Sequence, residues 1–265
     1  MEEYRLNPLD FSFSLLSDEK GGCKECIYNK DEIKSIEFKN GYVKVYEIKD
    51  RVQPSKYELT GQFFKKSNSH GYEEIIVENN KHSPNLRNYS AEDIENLLLI
   101  ISNRLEEIKK YKIGDNFSIT RYVDGHDYWD FVVLPIPRHI TEKCYVCESI
   151  KNIGNREVFR TSNISGYIPF SPNTNEILKI APLKHTSLDK LDNVVAFDLS
   201  NLLMKIIKNI KRELTISIIQ SGNEHFEVSL LAGNVDPVEA LGIKRINYSP
   251  EETAKKLREE IDYGK

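Results

Sequence analysis

The chain has 265 residues, enough for one large domain or two domains of about 130 residues that fold without disulfide bonds. Hydrophobic residues make up 39% and charged residues 29%, and no apolar run approaches the roughly 20 residues of a transmembrane helix. The composition therefore excludes membrane-spanning, collagen-like and disordered proteins. The net charge of -4 shows no excess of basic residues, although it allows a local basic surface.

The amino-terminal residues are acidic and contain no apolar signal segment, which predicts a cytoplasmic protein without an export signal. The high content of Lys, Glu and Ile, with only two Met and four Cys, is typical of proteins from thermophiles. Genome composition alone also produces such a bias.

In chain order, the hydrophobic pattern predicts strands around two long helices. A capping box at Ser90 starts the first helix, the second runs from about 193 to 213, and a last helix follows Ser249-Pro250. The predicted strands are Val43–Ile48, Glu73–Glu78, Asp130–Ile136, Glu176–Ala181, Thr215–Gln220 and Phe226–Leu231. This order predicts an α+β fold in which antiparallel sheets carry helices packed on one face.

The second long helix presents a basic face, formed by Lys205, Lys208, Lys211 and Arg212. Such a face binds phosphate or RNA in some proteins, and in most it is simply solvated.

All four cysteines fall in two Cys-x-x-Cys pairs, Cys23/Cys26 and Cys144/Cys147. In a cytoplasmic chain such a pair is a metal knuckle, a redox dithiol or, least often, a disulfide. Because the pairs occupy matching places in the two halves of the chain, they favour metal binding and indicate an internal repeat.

Each half also supplies two histidines after its cysteine pair, in the same order relative to strands and helix. They are His82 and His126 in the first half, and His185 and His225 in the second. A tetrahedral zinc site needs four such ligands, so we predict a zinc knuckle in each half. The alternative is that each histidine is an ordinary hydrogen-bonded residue at a strand end. The predicted repeats span 1–137 and 138–265, with the proline-rich stretch 134–138 between them.

Six short motifs, in their order along the chain, resemble those of the galactose-1-phosphate uridylyltransferases, a two-repeat family of the histidine-triad superfamily. They are Arg5-Leu6-Asn7-Pro8-Leu9, Cys23-Lys24-Glu25-Cys26, Lys81-His82-Ser83-Pro84-Asn85-Leu86, Tyr167-Ile168-Pro169-Phe170 with Glu176, Pro182-Leu183-Lys184-His185, and Arg245-Ile246-Asn247-Tyr248-Ser249-Pro250-Glu251. The resemblance implies two histidine-triad-like repeats and a homodimer.

The resemblance also implies roles for residues. In that family the first zinc is held at the positions of Cys23, Cys26, His82 and His126, the last being the first histidine of an H-P-H-x-Q motif. The second histidine of the motif is the nucleophile that carries UMP.

This chain departs from the motif, because Tyr128 stands at the nucleophile position and Asp130 at that of the glutamine. A phenol with a pKa near about 10 is a poor nucleophile at neutral pH, and a carboxylate repels the phosphate that an amide would bind. The stretch 118–123 aligns with the segment that wraps the substrate phosphates in the family, but contains no glycine. These departures predict that uridylyl transfer has been lost.

Asn223, His225 and Glu227 resemble the family's H-x-H-x-E segment. His225 is therefore either a nucleophile-like histidine, with Glu227 beside it, or the fourth ligand of the second zinc; we favour the ligand. Trp129, inside the altered motif, either stacks on a base or belongs to the core. Trp129, Asp130 and Asn223 are the candidate nucleotide-binding residues.

Two functions follow. The first is a zinc-containing binding protein, catalytically degenerate, for a nucleotide, an RNA or an assembly such as the ribosome. The second is an active nucleotidyltransferase or nucleotide-sugar hydrolase that uses His225 or an activated Tyr128.

Overall fold

The structure, a computed structural model, describes residues 2–17, 32–38, 41–48, 51–78, 85–125, 128–135, 143–172, 175–222 and 225–260. Its strands are β1 (Glu3–Leu6), β2 (Phe13–Leu16), β3 (Glu32–Phe38), β4 (Gly41–Glu47), β5 (Lys65–Asn68), β6 (Tyr72–Glu78), β7 (Asn116–Tyr122), β8 (Tyr128–Leu134), β9 (Glu157–Arg160), β10 (Ile164–Tyr167), β11 (Glu176–Pro182), β12 (Leu214–Ser221), β13 (Glu227–Ala232) and β14 (Lys244–Ile246). Its α-helices are α1 (Ala91–Lys109), α2 (Tyr145–Lys151), α3 (Asn193–Asn209), α4 (Pro237–Ala240) and α5 (Pro250–Glu260).

Ten of the described strands form one antiparallel sheet in the order β3-β4-β6-β8-β7-β12-β13-β11-β10-β9. Counted inward from either edge, the sheet contains the same parts in the same order. A pair of strands comes first, then a strand that leads into a long helix, and then the two strands of the hairpin that follows that helix. The middle of the sheet is the β7–β12 pair, in which Thr120 lies opposite Ser217. The two halves of the chain therefore share one continuous sheet.

The two long helices pack side by side on one face of this sheet. Ser90 and Asp93 form the capping box that starts α1, and the Asp192 side chain caps α3 by accepting from the Val195 backbone N–H. Leu98 of α1 and Leu203 of α3 are fully buried in a core that extends across both halves. Each such side chain stabilises the fold by roughly 1.5–3 kcal/mol through burial alone.

The opposite face of the sheet is covered by a second, four-stranded sheet and by α4. The four-stranded sheet has the order β14-β2-β1-β5, and β14 runs parallel to β2. Tyr4 and Leu15 of this sheet and Val238 of α4 pack on Val132 and Ile219 of the large sheet. Central strands are thus buried on both sides, which places α4 directly over the middle of the large sheet.

The predicted α+β class with antiparallel pairing and helices on one face is confirmed in outline. The six predicted strands are present within two residues of their expected ends. The second long helix ends at Asn209 and not near 213, because Ile210 adopts an extended conformation. The stretch 118–123, which departs from the family's phosphate-wrapping segment by lacking glycine, lies mostly within β7 in the middle of the sheet. None of the described helices has both the length and the apolarity needed to cross a bilayer.

Arg87 joins the two halves by capping the carboxyl end of α3. Its guanidinium donates to the backbone carbonyls of Ile207, Ile210 and Arg212, and it forms a forked ion pair with Asp124. These carbonyls lie at and just beyond the helix end, where helices lack intrahelical donors. The hydrogen bonds from Arg87 also hold the pKa of Asp124 below its ordinary value.

Replacing Arg87 with Leu should lower the free energy of unfolding by about 2–3 kcal/mol, because it removes several hydrogen bonds from a charged donor. Urea denaturation of the purified chain measures this. Arg212→Leu is the matched control, since that side chain is exposed, and should change the free energy by at most about 0.5 kcal/mol. Equal effects of the two substitutions would contradict the assigned role of Arg87.

The ion pair between Arg87 and Asp124 also predicts how the free energy of unfolding depends on pH. A carboxylate whose folded pKa is lowered contributes stability above its unfolded pKa of about 3.9, and the contribution is lost as the pH falls through the folded value. The difference between wild type and Arg87→Leu should therefore be largest near neutral pH and shrink below about pH 4.

Candidate functional site

The structure brings Cys144, Cys147, His185 and His225 together into one cluster. Cys144 is the residue before α2 and Cys147 lies in its first turn. His185 follows β11, and His225 precedes β13, the neighbouring strand in the sheet. The backbone N–H of Phe226 donates to the carbonyl of Thr186, which fixes the two histidine-bearing segments side by side.

The four ligand atoms all lie within 4.8 Å of one another. The Cys147 Sγ is 3.3 Å from Nδ1 of His185 and 3.4 Å from Nδ1 of His225. A tetrahedral metal bound to sulfur at about 2.3 Å and nitrogen at about 2.0 Å holds such atoms about 3.5 Å apart. These four residues can therefore hold a metal ion. Among the described residues, this is the one group of His, Cys, Asp or Glu side chains whose spacing allows it.

Both ring nitrogens of His225 are engaged. Nδ1 faces the Cys147 sulfur, and Nε2 is 3.0 Å from the carbonyl oxygen of Pro182, to which it donates in this tautomer. Burial, together with neighbouring His185, lowers the pKa of His225 to about 4. The imidazole is thus neutral at pH 7, which is the form that binds metals, and its second nitrogen is held by a backbone carbonyl as in many metal sites.

The Cys147 thiol is protonated when no metal is bound. Burial and the nearby Cys144 sulfur raise the pKa of this thiol to about 11. A metal bound here would displace that proton, because a coordinated metal deprotonates a thiol.

The predicted ligands of the first half, Cys23, Cys26, His82 and His126, lie outside the described residues. The described residues that flank two of them are bonded to each other. The Leu86 backbone N–H donates to the Val123 carbonyl, and Asn85 donates to Asp124.

The altered motif lies on the sheet face that α4 covers. Tyr128 is half-buried at the start of β8, and with Asp130 and Thr120 it lines a cavity of about 280 Å³. The far wall comes from the segment around α4 and from Arg245 of β14. Asn223, the third candidate nucleotide-binding residue, lies outside the described residues.

A buried arginine occupies the space beside this cavity. Arg51 is 1% exposed and donates to three carboxylates, those of Glu73, Asp130 and Asp236. Arg245 donates to the same Asp236 from the other side, at 3.0 Å. The neighbouring carboxylates raise the pKa of Arg51 further above its ordinary value despite burial. Asp130 is therefore held as one corner of an ionic cluster.

Two other predicted site residues have structural partners. Trp129 is fully buried, and its indole N–H donates to Glu78 on β6, so the ring belongs to the core and offers no face to a nucleotide base. Glu227 is buried and accepts from Lys179 at 2.6 Å, and it does not line the cavity beside Tyr128.

Sequence reasoning missed Arg51 and Asp236, and it named Arg245 only as part of a family-like motif and not as a site residue. Asp236 precedes a proline that starts a helix, a local capping signal that was available, but it says nothing of an ion pair. Arg51 and Asp236 are 185 positions apart, and no local pattern links residues at such a distance.

Protein-family models give no match to the chain, and curated protein sequences give none either. Solved structures do match. A uridylyltransferase superposes with a TM-score of 0.65 and 17% identity, covering 97% of this chain and 98% of that one. A GalT-like protein from Arabidopsis thaliana superposes with a TM-score of 0.60 and 20% identity, covering 98% of this chain and 99% of that one.

An ADP-glucose phosphorylase from Arabidopsis thaliana, solved with ADP-glucose, gives a TM-score of 0.59 and 18% identity, covering 98% of this chain and 99% of that one. Likeness at this level of identity shows the fold. The chain has the uridylyltransferase fold over almost its whole length, which confirms the resemblance drawn from its motifs.

Replacing Cys147 with Ser should remove one equivalent of bound metal per chain, because it deletes a ligand in contact with both histidines. Elemental analysis of the purified chain measures this. The melting temperature should also fall, by about 2–4 °C for each kcal/mol of metal-dependent stability.

Lys151→Ser is the matched control, since Lys151 lies on the same helix with its side chain 67% exposed. It should leave both metal content and melting unchanged. A melting temperature that stays the same after chelation to zero bound metal would contradict a structural metal.

Proposed function

We propose that the chain is a zinc-containing binding protein that has kept the uridylyltransferase fold without its transfer chemistry. Two sulfur and two nitrogen donors in tetrahedral spacing are typical of zinc. Four protein ligands leave no open coordination position, which is the arrangement of a structural and not a catalytic metal. When bound, zinc would supply folding energy at this site.

A first zinc site in the other half is part of the proposal. The bonds from Leu86 to Val123 and from Asn85 to Asp124 join the segments next to His82 and His126. They resemble the bond from Phe226 to Thr186 that joins the histidine segments of the second half. The matching strand orders of the two halves support the view that 1–137 and 138–265 are histidine-triad-like repeats.

The contacts of His225 favour the ligand role over the nucleophile role. A histidine that attacks phosphorus needs one ring nitrogen with its lone pair directed at the substrate. In His225 one nitrogen faces Cys147, and the other donates to the Pro182 carbonyl. The side chain is also only 1% exposed.

The observation that carries the proposal is the ion pair between Asp130 and Arg51. At the position where the family has a neutral amide for the phosphate, this chain has a carboxylate that is committed to a buried guanidinium. The guanidinium in turn binds Glu73 and Asp236, so it has no remaining unpaired charge to offer a phosphate. These carboxylates disfavour the binding of a nucleotide phosphate, and they also disfavour the activation of Tyr128 as a nucleophile.

The partner expected from the sequence is a nucleotide, an RNA or an assembly such as the ribosome. The exposed cations of the basic face on and just after α3 support the RNA-containing partners: Lys205, Lys208, Lys211 and Arg212. A homodimer and a thermophilic source stay predictions from resemblance and composition.

A second candidate function is nucleotidyl transfer. It is favoured by the cavity beside Tyr128, whose wall includes the cationic side chain of Arg245. The structural neighbours include a uridylyltransferase and an ADP-glucose phosphorylase, so this fold accommodates such chemistry in other chains. In this chain transfer would have to proceed through Tyr128 or His225.

The two functions are separated by incubating the metal-replete chain with UDP-glucose or ADP-glucose and searching for a nucleotidyl adduct by intact-mass spectrometry. We expect no adduct and no released product, because both ring nitrogens of His225 are engaged and the carboxylates around Arg51 disfavour a phosphate beside Tyr128. Turnover at an enzyme-like rate that is abolished by Tyr128→Phe would contradict the proposal.

His225→Cys tests the remaining route. Cysteine can still bind zinc but cannot form a phosphohistidine. If the wild-type chain transfers nucleotides and this variant does not, while its metal content is unchanged, the second function is established. In parallel, a thermal-shift screen with UMP, UDP-glucose, ADP, ATP, GDP and a short RNA tests binding. A ligand at about 100 times its Kd stabilises the fold by about 2.7 kcal/mol.

A further inference from the structure

The candidate metal cluster is accessible to small molecules in the solvent. Cys144 and Cys147 are both partly exposed and His185 is exposed, so that of the four side chains His225 alone is buried. A cavity of about 340 Å³ is lined in part by His185, whose Nδ1 lies 3.3 Å from the Cys147 sulfur. Partial exposure is the condition under which cysteines react with solutes, whereas fully buried cysteines are inert.

The two sulfur atoms of the cluster are placed to bond to each other. Cys144 is the residue before α2, and Cys147 lies in the first turn of that helix. Residues three apart in a helical turn have Cα atoms about 5 Å apart, which is inside the range of about 4.4–6.8 Å found in disulfides. The sulfur atoms already lie within 4.8 Å of each other. Rotation of the side chains is therefore enough to form a disulfide, and no backbone movement is needed.

A disulfide between Cys144 and Cys147 is incompatible with a metal bound at this cluster. The thiolate is the form of cysteine that binds metals, and a disulfide removes both thiolates at once. The ligands that remain are His185 and His225. Two imidazoles are fewer than the three or four protein ligands that hold zinc in proteins. The reduced pair can therefore hold the metal, and the oxidised pair releases it.

The helix that carries the pair is also anchored by contacts that need no metal. Val146 of α2 is 2% exposed and belongs to a small apolar cluster of its own. The other buried members of this cluster are Ile153, Tyr167 and Ala181. The backbone bond from Phe226 to Thr186 joins the two histidine-bearing segments without help from the sulfur atoms. Loss of the metal therefore weakens this part of the chain and leaves its core in place.

We propose that Cys144 and Cys147 form a peroxide-sensitive thiol pair, which binds zinc when it is reduced and releases zinc when it is oxidised to a disulfide. This joins two interpretations of the Cys-x-x-Cys motif, the metal knuckle and the redox dithiol, in one site. The inference rests on the zinc site of the proposed function, and it adds a reversible loss of that metal.

The oxidant is a peroxide, and hydrogen peroxide is the simplest case. One thiolate attacks a peroxide oxygen and breaks the O–O bond, which gives a sulfenic acid and one hydroxide ion. The second thiolate attacks the sulfenic sulfur, forms the S–S bond and displaces the other oxygen as a second hydroxide ion. The two sulfur atoms together lose two electrons, and the peroxide gains them. A small dithiol reverses the change by thiol–disulfide exchange.

The test is treatment of the zinc-replete full chain with hydrogen peroxide, followed by a chelating dye that reports free zinc. We expect the wild-type chain to release one equivalent more than Cys147→Ser, which lacks this metal from the start. Peptide mass spectrometry should show a disulfide between Cys144 and Cys147 that forms with the same time course. Dithiothreitol and added zinc should restore the full metal content. The oxidised chain should still unfold cooperatively, at a lower melting temperature.

Cys144→His separates a thiol pair from two independent cysteine ligands. Histidine can still bind zinc, but it cannot form a disulfide with Cys147. In this variant peroxide should carry Cys147 on to the sulfinic and sulfonic acids, which dithiothreitol does not reduce, so the lost zinc should not be regained. Lys151→Ser, on the exposed side of the same helix, is the matched control and should behave as the wild type does. Equal recovery of zinc in Cys144→His and the wild type would overturn the proposal.

The outcomes also separate this proposal from the proposed function. A chain that keeps its zinc under peroxide, or that releases zinc while Cys144 and Cys147 stay reduced, refutes the thiol pair and leaves the zinc site standing. A chain whose metal content is unchanged by Cys147→Ser refutes the zinc site and the thiol pair together. Nucleotide transfer by a chain that releases zinc on oxidation refutes only the loss of transfer chemistry.

Discussion

The buried guanidinium of Arg51 is the interaction on which the non-helical face of the sheet depends. It holds β6 through Glu73, β8 through Asp130 and the start of α4 through Asp236. Desolvating an arginine is costly, and three carboxylates with several hydrogen bonds offset that cost. Removing the guanidinium would leave the carboxylates of Glu73, Asp130 and Asp236 close together without the cation that they share, so the cluster fixes α4 against the middle of the sheet. The same cluster places a buried ion pair at Asp130.

The fold was largely predictable because its main signals are local. The α1 helix has a capping box and an apolar stripe, and the strands that flank the long helices are runs of Val, Ile and aromatics. The strands of the small sheet were missed, since β1 and β2 are four residues each and β14 pairs with β2 from the other end of the chain. Strand β7 received no predicted bounds, because its buried hydroxyls and Arg121 give it a polar pattern.

The site residues also divide into those that have a local sequence signal and those that have none. Cys144 and Cys147 are close in sequence and indicated a metal knuckle, and counting histidines added His185 and His225, which the structure brings together. The Arg51 cluster had no such local signal, because its members come from segments that are distant along the chain. A charged residue in an isolated sequence is indistinguishable from a surface residue until the topology shows where it is buried.

The matched places in the two halves hold different chemistry, and this difference bears on function. On β8 the position next to the central pair is Asp130, whereas the corresponding place on β13 is Ser229. An enzyme that transfers phosphates needs a nucleophile and phosphate-binding donors at one of these places. One now holds a carboxylate tied to Arg51, and the other a buried hydroxyl beside the Lys179–Glu227 pair. The two places therefore differ in charge: the first belongs to an ionic cluster, and the second carries a neutral hydroxyl.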